Sequence, residues 1–405
     1  MTGATSAPRI AVIGGGIGGL AAAAFLHRAG LECTVYEQAT ELKEIGAGLV
    51  VAPNAARLLR RLGVMDAFEQ HAVVLDVGWE FRRWKDGAVL SAEPLAGNCE
   101  RLYGEQTYTA HRADLLECLR SAVPSSWVRL GMRCERIEPG QGESRAYFAD
   151  GTRVTADVII GADGIHSAVR AALTQPVPAT YSGLCAFRAL VPAGQAPEFA
   201  RRRTQTLWLG PGHHLVHYPV SAGRHVNLVA FAPAGDYTVE SWTATATVAE
   251  FLAEFAGWDA RLRDLIRAAG TPGRWALLDR APLARWSFGP VTLLGDAAHP
   301  MFPFFALGAA QAMEDAAVLA RCLAGDRADP AAALRRYQDV RLPRATRLQE
   351  ISHARSQVNH LPDGPDQRDR DQAFTEADPL AANGWIYAYD PDEAVMAASG
   401  EGPTG

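Results

Sequence analysis

Through the first 175 residues, short unbroken apolar runs alternate with alanine-rich or amphipathic stretches. Arg9 to Ile13 (RIAVI) predicts a strand buried on both faces. Leu20 to Ala29 is rich in alanine and leucine and predicts a helix, with Gly30 ending it as a C′ residue. Cys33 to Tyr36 (CTVY) predicts a second strand, which ends at Glu37. Strand, turn, helix and strand fall within about 30 residues, the spacing of a nucleotide-binding βαβ unit. Asn54 to Leu62 and Arg112 to Ala122 predict helices, and Ala156 to Ile160 (ADVII) another buried strand.

From Gly183 to Ala232 the period changes. Thr206 to Leu209, His214 to Tyr218 and His225 to Ala230 alternate as an antiparallel sheet does. Val248 to Phe255 and Ala260 to Ala269 predict helices lying on that sheet. Val291 to Leu294 then predicts a buried strand and Gly308 to Leu323 a helix. Ala331 to Ser352 predicts a long helical region with a kink or break at Pro343. From His360 the chain reads as loop-like, and Ala397 to Gly405 as disordered. This order predicts an α/β protein: a discontinuous Rossmann-like domain (1–80, 101–175 and 280–345), an inserted β-sheet substrate domain (81–100 and 176–279) and a C-terminal helical or irregular region (346–405).

Composition narrows the class. The chain has 405 residues, of which 48% are apolar and 21% charged, which excludes a disordered or fibrous protein. A single core stops growing at roughly 250–300 residues, so two domains, or one domain with large insertions, are expected. A net charge of −6 offers no electrostatic basis for binding nucleic acid or an anionic membrane. The six cysteines form no Cys-x-x-Cys pair, so reduced thiols are expected rather than a zinc site or disulfides. Ile10 to Leu26 is apolar enough to raise a membrane span or signal peptide, but it holds five glycines. A cytoplasmic protein, monomeric or homodimeric, is the expectation.

Gly14-Gly15-Gly16-Ile17-Gly18-Gly19 matches Gly-x-Gly-x-x-Gly. Gly14 permits the tight turn, Gly16 lets a pyrophosphate approach the backbone, and Gly19 lets helix and strand pack closely. The helix N-terminus then faces the phosphates, and Glu37 can accept hydrogen bonds from the ribose hydroxyls of an adenosine. Three distant segments add to this: His111-Arg112-Ala113-Asp114-Leu115, Gly161-Ala162-Asp163-Gly164-Ile165-His166-Ser167, and Gly295-Asp296-Ala297-Ala298-His299-Pro300 with Pro303. With them, and with Asn383-Gly384-Trp385-Ile386-Tyr387 near the end, the chain resembles the single-component FAD-dependent aromatic hydroxylases over about residues 9 to 390.

The resemblance implies non-covalent FAD, NADH or NADPH as a transient reductant, and O2 activated at the flavin for transfer to a phenolic or N-heteroaromatic ring. It implies that Asp296 holds the ribityl chain, that Arg112 lies along the phosphate and ribityl region, and that Asp163 supports the dinucleotide. Each has a plainer alternative: a helix cap for Asp296, a surface ion pair for Arg112, a turn former for Asp163. Gly48 falls in a Gly46-Ala47-Gly48-Leu49 segment of the cofactor site. Independently, Gly308 and Ala309 open a helix whose amides suit the anionic end of a reduced flavin, with Pro300 to Phe304 beside the ring.

On His213-His214-Leu215-Val216-His217-Tyr218, alternation puts His214, Val216 and Tyr218 on one face and His213, Leu215 and His217 on the other. The resemblance implies that His214 and Tyr218 are the catalytic pair, with His214 titrating near neutral pH to take a phenolic proton. His213 and His217 are expected to lie solvated on the outer face, and His299 to hold its loop or act in catalysis. Relatives often carry Gln where this chain has Leu307, and a polar residue where it has Val50. If both face the pocket, a larger or less polar substrate than a simple hydroxybenzoate follows. No arginine clamp for a carboxylate emerges. Epoxidation, Baeyer–Villiger oxidation, a non-catalytic flavin sensor and a plain NAD dehydrogenase remain alternatives.

Overall fold

The computed structural model describes residues 8–42, 48–175, 180–235 and 244–400. Among these, a six-stranded sheet runs in the order Ser287–Phe288, Val291–Leu293, Val158–Gly161, Ile10–Ile13, Cys33–Tyr36, Val128–Arg129. All its neighbours pair in parallel except the first two. Ile10–Ile13 and Val158–Gly161 are buried at every position, as strands covered on both faces must be. The helix that follows the first strand spans Ile17–Arg28, three residues earlier than its composition suggests. Its glycines belong inside it: a Cβ on Gly18 would lie 2.7 Å from the Leu294 side chain. Gly30 ends the helix at φ +67.

A seven-stranded sheet forms the second layer, in the order Gly273–Asp279, Thr180–Pro192, His225–Pro233, His213–Val220, Thr204–Gly210, Val77–Arg83, Val89–Pro94. It is antiparallel save for one pair, Thr204–Gly210 with Val77–Arg83, which runs parallel. One face packs Phe187, Leu215 and Leu228 against Phe251, Leu262 and Ile266 of the helices Val248–Glu254 and Ala260–Arg267 and against Phe255, which ends the first of them. The other face looks toward the nucleotide-binding layer.

Two expectations for the C-terminal part are corrected. The break expected as one alternative at Pro343 is absent, because the helix Pro330–Asn359 continues through it. After His360 the chain is not loop-like but forms helices at Pro365–Glu376, Pro379–Ala382, Gly384–Tyr387 and Pro391–Ala398. Three of these start on a proline at the first helical position, and Asp378 and Asp390 cap two of them. Of the tail expected to be disordered, Ala397 and Ala398 are helical, and residues 401–405 lie outside the described part. All six cysteines are free thiols. Among the described residues no helix is long and apolar enough to cross a membrane.

Candidate active site

The glycines of the 14–19 turn divide by what surrounds them. Gly14 sits at φ +105, and a Cβ there would lie 2.3 Å from the Ala162 carbonyl oxygen. A Cβ on Gly19 would lie 1.9 Å from the Gly14 carbonyl oxygen. The polypeptide itself demands those two. Nothing lies within 4 Å of a Cβ on Gly16, and Gly16 lines a cavity. Its backbone is bare toward something outside the chain, which fits a pyrophosphate at a helix N-terminus. Glu37 is held nearby: one carboxylate oxygen accepts from the Gly15 amide at 2.6 Å and the other from the Ala39 amide at 2.8 Å. Each oxygen keeps further acceptor capacity for ribose hydroxyls.

The cavity, of about 350 Å³, runs from the glycine turn to the inserted sheet. Gly16, Gly48, Arg112, Asp296, Pro303, Gly308 and Ala309 line it, and so do His214 and Tyr218. Gly14, Gly19, Glu37 and Asp163 lie outside the lining. The Asp163 carboxylate accepts from the Ser167 hydroxyl and the Val169 amide, bracing the helix Ala168–Leu173 that Ser167 caps, while Gly164 faces the cavity. Gly46 and Ala47 lie outside the described residues. A bare helix start, an exposed Asp296 beside it and a Gly16 open to the same space fit a flavin dinucleotide.

Asp296 owes its position to a buried ionic network. It sits in the 3-10 turn Gly295–Ala297, and the Gly295 amide donates to Asp315 Oδ2 at 3.0 Å. His299 Nε2 lies 2.6 Å from the same oxygen, and Arg341 Nε donates to Oδ1 at 2.7 Å. Arg341 also pairs with Glu314 at 2.6 Å, and Asn54 donates to Glu314 at 2.7 Å. Burial would raise the Asp315 pKa, but His299 and Arg341 outweigh it and hold it down to about 2. His299 is therefore structural, tying the Asp296 turn to the helix Gly308–Gly325, and does not line the cavity.

The cavity's far wall is one face of the seven-stranded sheet. Arg188, Val229, Val216 and Leu207 stand in register across four strands, and all four line the cavity. His214 stacks on Phe231 with centroids 4.5 Å apart and meets Phe304 edge-on at 5.0 Å. Its Nδ1 lies 2.6 Å from His360 Nε2. Burial first, and then the nearby His360, Arg355 and His213, hold His214 well below the usual histidine range. It does not titrate near neutral pH as expected; it stays neutral, the form that accepts a proton. Burial likewise raises the Tyr218 pKa, so Tyr218 stays a phenol and a hydrogen-bond donor. A Cβ on Gly48 would lie 2.6 Å from the Tyr218 ring, so glycine is required where the two layers meet.

Three further expectations are corrected. His217 is not solvated: it is buried on the helix face and accepts from Trp208 Nε1 at 3.2 Å. His213 is partly buried between Phe255 and Trp258, 3.3 Å from Glu254. The helices predicted from the sequence cover this face, so it is not an outer surface. Leu307 and Val50 are buried in packing and do not line the cavity, which removes the basis for a less polar substrate. An arginine does face the cavity: Arg188, 4.3 Å above the Trp275 ring. Its signal was available, because Arg188 interrupts an apolar run on the parity of Ala186. His360 went unnoticed because its segment reads as loop.

Residues 8–352 match the family described as FAD binding domain. The chain belongs to the FAD-dependent aromatic monooxygenases. The hydroxylase is 44% identical over 383 residues to a 3-amino-4-hydroxybenzoate 2-monooxygenase of Streptomyces platensis, covering 95% of this chain and 96% of that one. To a 6-hydroxynicotinate 3-monooxygenase of Bordetella bronchiseptica it is 37% identical, over 88% and 94% of the two chains. The structure of Klebsiella pneumoniae HpxO complexed with FAD and uric acid superposes with a TM-score of 0.83 at 29% identity, covering 98% of both chains. A salicylate hydroxylase substrate complex does so at 0.82 and 28%, again over 98% of each. The hydroxylase thus has the two-domain fold of these enzymes, an FAD cofactor and a helical C-terminal region, and NAD(P)H is their typical reductant. None of these relatives supports the sensor, epoxidation or dehydrogenase alternatives.

Proposed function

We propose that the hydroxylase inserts one oxygen atom into a small aromatic carboxylate bearing a ring hydroxyl, of the amino-hydroxybenzoate kind. One observation carries this reading: the sheet wall of the cavity presents Arg188, His214 and Tyr218 together, among apolar and aromatic side chains. Val216, Val229, Phe231, Trp275, Phe302 and Phe304 complete the surroundings, as a flat ring requires. Arg188 is the bidentate partner for the carboxylate, a role its fixed donor fork suits. Tyr218 donates to an oxygen of the substrate, and His214 takes the proton of the ring hydroxyl, since a phenolate is the better nucleophile. The relatives named for 3-amino-4-hydroxybenzoate and 6-hydroxynicotinate act on compounds of this class.

On the cofactor side, the amides near Gly16 take the pyrophosphate and Glu37 the adenosine ribose, with Gly14 and Gly19 shaping the turn. Asp296 takes the ribityl chain, Arg112 the adjoining phosphate, and the amides of Gly308 and Ala309 the N1/C2 end of the ring. Gly48 and Pro303 close the space around it, and Asp163 acts indirectly by holding the Gly164 turn. FAD supplies the activated oxygen.

The test is Arg188→Met in the FAD-loaded enzyme. The KM for 3-amino-4-hydroxybenzoate should rise about thirtyfold, equivalent to a charged hydrogen bond of roughly 2 kcal/mol. The KM for 2-aminophenol, which lacks the carboxylate, should stay within about threefold. Equal changes for both compounds would remove the clamp.

A further inference from the structure

His360 lies outside the cavity lining and meets two of its residues: His214, and the Phe304 ring edge-on at 6.1 Å. It caps the end of the helix Pro330–Asn359, and its carbonyl accepts the Gly212 amide at 3.0 Å, just ahead of the histidine strand. Backbone contacts thus lock two distant parts of the chain so that the imidazoles meet at 2.6 Å, centroids 4.8 Å apart. Two neutral rings at that distance share one proton: one nitrogen donates and the other accepts. Whichever tautomer His360 holds dictates that of His214. His214 is 1% exposed, whereas His360 is only partly buried and reaches toward solvent.

We propose that His360 is a positioning residue that presents His214 with its Nε2 bare and carries the substrate's phenolic proton out of the cavity. This rests on the function proposed above. The phenolic O–H gives its proton to His214 Nε2; His214 Nδ1–H passes its own to His360 Nε2; His360 Nδ1–H releases one to water. One proton leaves and no electrons move. Phe231 and Phe304 flank the His214 ring, and His360 stands behind its Nδ1. The charged and titratable groups around the pair are Arg355 of the same helix, His213 with its partner Glu254, and Tyr218 and Arg188 along the cavity wall. Arg355, whose guanidinium lies over Trp79, Phe81 and Phe305, disfavours a resting positive charge on His214 and so favours onward transfer.

The experiment uses the FAD-loaded enzyme and 4-hydroxy-3-nitrobenzoate, whose phenolate absorbs visible light. Mixing is followed by stopped flow, with a pH indicator reporting proton release. In the wild type, phenolate should form and one proton per site should appear in solution. In His360→Gln, which keeps a hydrogen-bonding side chain but cannot pass a proton, release should slow by about tenfold or more while equilibrium affinity and flavin content hold. In His360→Ala, added imidazole should restore much of the rate. Unchanged release in His360→Gln, or a slowed rate in His360→Ala that imidazole leaves untouched, overturns the relay and spares the parent reading. If the wild type fails to bind the probe as phenolate, the parent reading falls and this inference with it.

Discussion

The two faces of the inserted sheet make opposite use of the same residue type. On the cavity face, His214 stands with Tyr218 and Arg188 beside an apolar space. Three residues along the same strand, His217 points the other way, is equally buried, and accepts from Trp208 through Nε2. Burial lowers both imidazoles, His217 to about 3, so neither burial nor a shifted pKa marks the reactive one. The difference lies in what else each ring touches. His217 accepts from the Trp208 indole within a packed helix–sheet interface, whereas His214 borders the cavity and has a second titratable ring behind it.

The sharpest way to break this contrast is to exchange the outcomes. His214→Ala should lower hydroxylation by about 10²–10³-fold with FAD still bound, as loss of a general base does. A rate within a few-fold of wild type, measured as product formed per NADH consumed, would place the base elsewhere. A site at the edge of the same sheet tests burial alone. Glu93 is buried, and burial raises it to about 7 despite hydrogen bonds from Asn383 and Tyr387. Its folded pKa exceeds the ordinary 4.5, so its stabilising contribution is complete below pH 4.5 and is lost as pH rises through 7. Chemical denaturation across that window should show a fall of about 3 kcal/mol that Glu93→Gln lacks.

His217→Ala should leave kcat unchanged and cost about 1–3 kcal/mol of stability, since it strands the Trp208 N–H in the core. A large loss of kcat at wild-type stability would erase the distinction between the faces. The smallest effect is at the opposite end of the cavity. Gly16→Ala should leave the melting temperature of the apoprotein unchanged, because no protein atom lies within 4 Å of the new methyl group. FAD affinity should fall about tenfold, or roughly 1.4 kcal/mol, because the methyl occupies the space kept for the pyrophosphate. An unaffected affinity would mean that the cofactor approaches the turn elsewhere.

Much of the fold was legible because its cues are local. The strand–glycine–helix unit, the alternation of the inserted strands and the switch between them follow from neighbouring side chains. The His214/Tyr218 face was legible for the same reason. The helical character of the C-terminal region was legible, but its separate helices after His360 were not, although Asp378-Pro379 and Asp390-Pro391 are start signals, because those helices are short. The continuity of the helix through Pro343 contradicts local preference, and its burial against the Glu314/Asp315 helix overrides it.

By itself, the order of residues settled the nucleotide-binding unit, the interruption by a β-rich segment and the set of side chains sharing the cavity face, since backbone geometry makes periods of two and 3.6 universal. Contacts between residues remote in sequence were decided only in three dimensions: which face of the sheet the helices would cover, that Arg188 would share a wall with His214, and that His360 would lie behind it. Those depend on how two layers close on each other, and no pattern within one strand carries that information.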